Sequence, residues 1–177
     1  GIYIVKRELF DSLNPEKPID MTEDIIPEAV KSGEAVLLDG KGYYKRITTP
    51  EAFLDCQRHM LYNENMSLKL TENNFSGAAI GEPVYIGENV SVMSGSVIES
   101  GSVIDNNAVV KGGKVNGYVG IGSVVSERCD INSAVVCRGA VLDSGVKCGE
   151  YSVIGEKAHI ASEAVIEKGV GIWSGKN

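Results

Sequence analysis

Two histidines, His59 and His159, and four cysteines, Cys56, Cys129, Cys137 and Cys148, are the side chains here best suited to exchange a proton near neutral pH. A histidine beside a substrate is the commonest general base. His59 lies in Gln57-Arg58-His59-Met60, a segment read below as helical, where a solvated position is expected. His159 directly precedes Ile160, so in an extended strand it points away from that isoleucine, outward from whatever the isoleucine helps to fill. An outward histidine on a strand wall is placed to act on a bound acceptor. The cysteines form no Cys-x-x-Cys pair and no cluster with histidine, which argues against zinc ligation and thioredoxin-type chemistry. They read as small packed thiols in a reducing cytoplasm.

The elements that position these groups come from a wider pattern. With 24 acidic and 17 basic side chains the 177-residue chain carries a formal charge of −7, so neither a phosphate-tracking nucleic-acid binder nor an anionic-membrane binder is expected. No apolar run approaches the ~20 residues that span a bilayer, and no charged-then-apolar leader is seen. A soluble, cytoplasmic protein follows from this reading. The 21 glycines and only 6% aromatic residues suit many short strands and tight corners.

Aliphatic residues recur every six positions at Ile80, Ile86, Val92, Ile98, Ile104 and Val110, then at Val125 and Ile131. After a five-residue step they continue at Val136, Leu142, Cys148, Ile154, Ile160, Ile166 and Ile172. Six is even, so every aliphatic faces the same side of its short strand. Small residues four positions on, such as Ser96, Ser102, Ala108 and Ala158, fit beside them, and glycine permits the turns. The pattern resembles the hexapeptide repeat of left-handed parallel β-helices. The expected fold is therefore mainly β: a left-handed parallel β-helix over 78–177, roughly five coils and ~25 Å long, preceded by a connector at 63–77 and a small α/β piece at 1–62. The register puts Ile86, Ile98, Ile104, Ile154, Ile160 and Ile166 inside and Glu88, Lys147 and Lys168 outside. Residues 111–124 break the period, either as a loop extruded to form a ligand site or as a register shift absorbed by glycines; the second is preferred.

In the N-terminal piece, Ile2-Tyr3-Ile4-Val5 and Ala35-Val36-Leu37-Leu38 read as buried strands. Asp20 with Glu23 starts a helix over about 21–32 that Gly33 stops. Thr49-Pro50-Glu51 caps and starts a second helix through Phe53, Leu54 and Met60.

Gly1-Ile2-Tyr3-Ile4, the acidic run over 19–33 and the segment Gly42-Tyr43-Tyr44-Lys45-Arg46 through Leu61 resemble the last third of a sugar-1-phosphate nucleotidylyltransferase domain. The closing 167–176 resembles the end of the β-helix in mannose-1-phosphate guanylyltransferases. The resemblance implies the C-terminal part of an enzyme that joins a sugar phosphate to a nucleoside triphosphate with Mg²⁺, the missing N-terminal nucleotide-binding region lying upstream. Glu16-Lys17-Pro18 mimics a signature of that family but stands on the wrong side of the Gly-Ile-Tyr segment, and reads as a surface turn. Where the family carries a metal-binding aspartate this chain has Arg46, which would repel the ion unless Asp55 or Asp24 substitutes. The chain alone is thus expected to hold no catalytic residue and no metal for that reaction, with substrate-binding residues unassigned.

Two alternatives stand beside this. One is a degenerate, non-catalytic member whose β-helix serves assembly or regulation. The other is a hexapeptide-repeat acyltransferase with His159 as the base. One histidine within the repeats is too few for a three-histidine carbonic anhydrase of β-helical type. The open end of the solenoid, with Trp173 near it, predicts a homo-oligomer.

Overall fold

The computed structural model describes residues 2–11, 13–14, 16–63, 75 and 77–177, so most of the expected connector at 63–77 lies outside the described residues. The chain divides into a unit of residues Gly1–Tyr43 and a unit of residues Tyr44–Asn177.

The first unit holds helix α1 (Glu8–Asp11), a π-helical turn at Met21–Ile25 and helix α2 (Ile26–Lys31). Asp20 starts the helical run as expected, its carboxylate accepting from the amides of Thr22 at 2.7 Å and Glu23 at 3.0 Å. Asp24, not Glu23, reaches back to the Asp20 amide, at 2.8 Å. The strands expected at 2–5 and 35–38 do not form. Neither stretch carries a ladder, and both are largely exposed, Ile4 and Leu37 by 88% and 95%. A strand is defined by its ladder, and apolar β-branched residues without a pairing edge make only extended chain.

The second unit begins with helix α3 (Pro50–Tyr62), where Thr49 accepts from the Ala52 amide at 3.1 Å and Pro50 opens the first turn. Among the described residues fifteen strands follow: β1 (Ala79–Ile80), β2 (Tyr85–Ile86), β3 (Ser91–Val92), β4 (Val97–Ile98), β5 (Val103–Ile104), β6 (Val109–Val110), β7 (Lys114–Val119), β8 (Val124–Val125), β9 (Asp130–Val136), β10 (Val141–Leu142), β11 (Lys147–Cys148), β12 (Val153–Ile154), β13 (His159–Ile160), β14 (Val165–Ile166) and β15 (Gly171–Ile172). All pairings are parallel, and they stack into three walls. One wall runs β1, β4, β7, β9, β11, β14; a second runs β2, β5, the ends of β7 and β9, β12, β15; the third runs β3, β6, β8, β10, β13. The fold is mainly β, a left-handed hexapeptide-repeat β-helix of about six turns.

The hexad register holds along its length. Ile86, Ile98, Ile104, Leu142, Ile154 and Ile160 are buried, Ile166 and Ile172 pack partly buried against the core in the last coil, and Glu88, Lys147 and Lys168 are exposed. At the small positions, buried serines donate to carbonyls of the next coil: Ser96 Oγ to Val110 O at 3.2 Å, Ser102 Oγ to Val115 O at 3.1 Å and Ser123 Oγ to Cys137 O at 2.8 Å. A buried hydroxyl needs such a partner, so serine fits this position as a rung rather than as filler.

The break at 111–124 is a register shift, not an extruded loop. β7 serves two walls at once, Lys114–Val115 pairing with β4 and Tyr118–Val119 with β5, and its pairing with β9 shifts between Asn116 and Gly117. Gly117 turns this shortened corner at φ +147, and a Cβ there would lie 2.2 Å from the Ala134 carbonyl oxygen, so only glycine fits. Helix α3 lies along that corner. Gln57 Nε2 donates to the carbonyls of Gly101 at 2.8 Å and Gly117 at 3.2 Å, Arg58 donates to Ser133 Oγ at 3.0 Å, and Tyr62 pairs with Ser100. Leu54 is fully buried.

Candidate functional site on the solenoid wall

The hexad that buries Ile160 turns His159 outward on the third wall, in β13. One coil earlier, Leu142 is buried and Asp143 follows it outward. His159 Nε2 and Asp143 Oδ2 meet at 3.0 Å, with 51% and 39% of their side chains exposed. The backbone fixes both ends of this pair: the Asp143 amide donates to Ile160 O at 2.9 Å, and the His159 amide to Lys176 O at 2.8 Å. Among the described residues, the hydrogen-bond donor recorded on the Asp143 carbonyl is the Cys129 thiol at 3.1 Å. A carboxylate on one ring nitrogen selects the tautomer that protonates that nitrogen and leaves the other with a lone pair, which is the arrangement of an oriented base.

The sequence singled out His159 but not Asp143. The signal was present in the spacing. Val141 pairs with His159 in the ladder, and the outward residue two places past Val141 is Asp143. An acidic residue 16 positions before an outward histidine is therefore its diagonal neighbour on the wall.

A groove of about 850 Å³ lies on the second wall and the turn beyond it, lined by Tyr118, Cys137, Arg138, Val153, Glu156 and Trp173, and it contains neither His159 nor Asp143. Tyr118 donates to Asp105 at 2.9 Å and makes a T-shaped contact with Phe53 at a centroid distance of 5.3 Å. Burial, reinforced by Asp105, pushes its phenol well above the usual range. Burial likewise raises the Cys137 thiol, with Glu156 adding to it, so a nucleophilic thiolate is disfavoured there. Cys129 and Cys148 are buried, Cys148 pushed up to about 12 chiefly by desolvation, and all four cysteines are free. Cys148 takes an aliphatic hexad position in the core.

The other sequence candidates do not gather into a site. Arg46 is exposed in a stretch with no strand, unlike the aromatic strand the resemblance implied. Asp55 is engaged by Lys45 at 3.1 Å, and Asp24 by the Asp20 backbone. His59 is half-buried on α3 rather than solvated, because α3 packs on the solenoid. Among the described residues no group of three or more His, Cys, Asp or Glu converges, and no helix is long and apolar enough to cross a membrane.

No protein-family model matches the chain, and no curated protein does. Among solved structures it is similar to a GDP-perosamine N-acetyl transferase from Caulobacter crescentus, in complex with CoA and GDP-perosamine, at 22% identity over 55% of this chain and 50% of that one, with a TM-score of 0.31. The acetyltransferase domain of PglB from Neisseria gonorrhoeae matches at 20% identity over 85% of this chain and 81% of that one, TM-score 0.31. A hexapeptide transferase family protein from Anaplasma phagocytophilum matches at 21% identity over 56% and 68%, TM-score 0.30. The chain thus spans about half the length of the first of these. Likeness at this level concerns the repeat fold. It corrects the expectation drawn from the N-terminal segments: the solved structures named above are two acetyltransferases and a hexapeptide transferase family protein, not nucleotidylyltransferases or mannose-1-phosphate guanylyltransferases. The physical reason lies in residues 2–5 and 42–48, which carried that resemblance and form no strand here.

Proposed function

We propose that the chain is the solenoid of a hexapeptide-repeat acyltransferase in which His159 is the general base and Asp143 orients it. The reading is carried by the 3.0 Å contact of His159 Nε2 with the Asp143 carboxylate on an exposed wall of the β-helix. With Nε2–H given to Asp143, Nδ1 keeps a lone pair and takes a proton from an acceptor amine or hydroxyl as that group attacks a thioester carbonyl. Asp143 steadies the imidazolium so formed. The tetrahedral intermediate collapses, the C–S bond breaks, and the leaving thiolate takes the proton from His159, restoring the neutral ring. The donor class is an acyl thioester of the coenzyme A kind and the acceptor a small amine or alcohol. Four free thiols suit a reducing compartment, so we place the reaction in the cytoplasm.

His159 is half exposed, and a base works best where water is excluded. A second copy of the chain can supply the cover. Val165 and Trp173, 59% and 86% exposed in the last coil, support self-association. Sedimentation should report a mass at least twice 18.9 kDa, with Trp173 fluorescence partly shielded from a soluble quencher. A monomer with fully quenchable Trp173 overturns the oligomer.

The test of the activity is thiol release from acetyl-CoA in the presence of a panel of amino and hydroxyl sugars. Turnover that requires both acetyl-CoA and an acceptor supports the reading; hydrolysis alone, or no thiol release with any acceptor, overturns it.

A further inference from the structure

The small position of each hexad lies between a turn and the next strand, and at Ser96, Ser102 and Ser123 its hydroxyl ties two coils together. Ser96 shows the full arrangement: its Oγ donates to Val110 O at 3.2 Å and accepts from the Gly112 amide at 2.9 Å. Ser102 does the same with Val115 O and the Gly117 amide, at 3.1 and 3.3 Å. Cys129 occupies the equivalent place beside Asp143. The residue is 2% exposed, and its thiol donates to Asp143 O at 3.1 Å.

The carbonyl that Cys129 holds belongs to the residue whose carboxylate reaches His159. At the end of other strands, the residue after the buried aliphatic gives its carbonyl to the amide three positions on: Met93 O to Ser96 N at 3.1 Å, Cys137 O to Ala140 N at 3.2 Å, Gly155 O to Ala158 N at 3.2 Å. The Asp143 carbonyl accepts from the Cys129 thiol, much as the Cys137 carbonyl accepts from Ser123 Oγ. The backbone of Asp143 is thus held by Ile160 on its amide and by Cys129 on its carbonyl, and its carboxylate reaches His159.

We propose that Cys129 is a positioning residue for acyl transfer: its thiol fixes the corner from which Asp143 reaches His159, so that a buried side chain sets the tautomer and aim of an exposed base. The proposal rests on the acyltransferase reading above. Burial keeps the Cys129 thiol protonated, which supplies the proton that the Asp143 carbonyl accepts. The sulfur has no nucleophilic part in this, since it does not touch the reacting atoms. Serine at this position keeps the donor and the acceptor in a smaller atom, whereas alanine removes both.

Three variants of the full chain separate positioning from plain stability. Cys129→Ala removes the tie beside the dyad, Cys129→Ser retains it, and Ser96→Ala removes the same kind of tie far from His159. Imidazole ¹⁵N shifts read which ring nitrogen of His159 carries the proton, whether or not the protein turns over. We expect the Nε2–H signature in the parent and in Cys129→Ser, a mixture of tautomers in Cys129→Ala, and no change in Ser96→Ala. In the acetyl-CoA assay, Cys129→Ala should lower kcat about tenfold with KM for the donor little altered, the size expected of a small misalignment of a base. Cys129→Ser should recover most of that loss. Ser96→Ala should lower the melting temperature and leave kcat near the parent value. If Cys129→Ala keeps the parent tautomer signature, or changes only melting temperature as Ser96→Ala does, the positioning role is overturned. A parent protein inactive with every acceptor overturns acyl transfer, and the ¹⁵N signature then still decides whether Cys129 aligns the pair. Should Cys129→Ala not fold, a shift of the tautomer mixture in Cys129→Ser decides in the same way: parent-like supports the tie, and a mixture with intact fold contradicts it.

Discussion

Val36-Leu37-Leu38 and Val103-Ile104 are similar in composition and opposite in fate. Leu37 is 95% exposed in a stretch without a ladder, whereas Ile104 is fully buried in a strand paired on both sides. Both are short apolar runs of the kind that strands use, though Val103-Ile104 is wholly β-branched and 36–38 is not. What differs is recurrence: the hexads repeat the same short strand at a spacing that returns it beside its own copy one coil later, so each strand meets a partner supplied by the chain itself. Residues 35–38 have no such copy. Ordering four residues without a partner costs backbone entropy that their own contacts do not offset.

The largest expected effect tests the repeat side of that comparison. Ile160→Asp puts a charge into a dry interior that nothing there can pair, and should destabilise the second unit by about 4 kcal/mol or more. Urea unfolding followed by far-UV circular dichroism checks it, and a midpoint indistinguishable from the parent contradicts the register.

A smaller effect concerns the thiol that takes an aliphatic position. Burial raises Cys148 from 9.0 to about 12, so the folded form keeps its proton where the unfolded chain has begun to lose it. Above pH about 9 the unfolded state binds fewer protons than the folded state, and stability therefore falls as pH rises towards 12. This single group contributes at most about 1.4 kcal/mol per pH unit. Its contribution is fully present below pH 9. Unfolding midpoints at pH 8 and pH 10.5 should converge in Cys148→Ala relative to the parent, and an unchanged alkaline loss in the variant refutes the assignment.

The smallest effect belongs to the other side. Leu37→Asp should change stability by no more than about 0.5 kcal/mol, because an exposed side chain has little burial to lose. A fall above about 1 kcal/mol in the same urea experiment would show that residues 35–38 are covered, and would remove the contrast.

Much of the solenoid was legible because its period is even and its large inward residues are aliphatic: the inward list from Ile86 to Ile160 follows from counting by six, restarted at Val125 and again at Val136. The shortened corner at Gly117 was legible only as a break, since glycine announces freedom of the backbone and not the direction it takes. The helix starts at Asp20 and Thr49 were read from local capping chemistry, which needs no knowledge of the rest of the fold. The strands at 2–5 and 35–38 were misread because pattern speaks for propensity and cannot report a missing edge. Half of the candidate site was visible. His159 was placed outward by its neighbour Ile160, while Asp143 required the stacking distance of one coil, and the Cys129 tie required the corner geometry.

The account turns most directly on the rate of acyl transfer from acetyl-CoA by the parent, His159→Gln and Asp143→Asn. A general base contributes about 10²–10⁴-fold, so His159→Gln should lose at least a hundredfold in kcat with its fold intact by circular dichroism, and Asp143→Asn should lose less, retaining the ring but not its carboxylate partner. Transfer by His159→Gln at the parent rate would contradict the assignment of the base, and with it the function drawn from this wall of the solenoid.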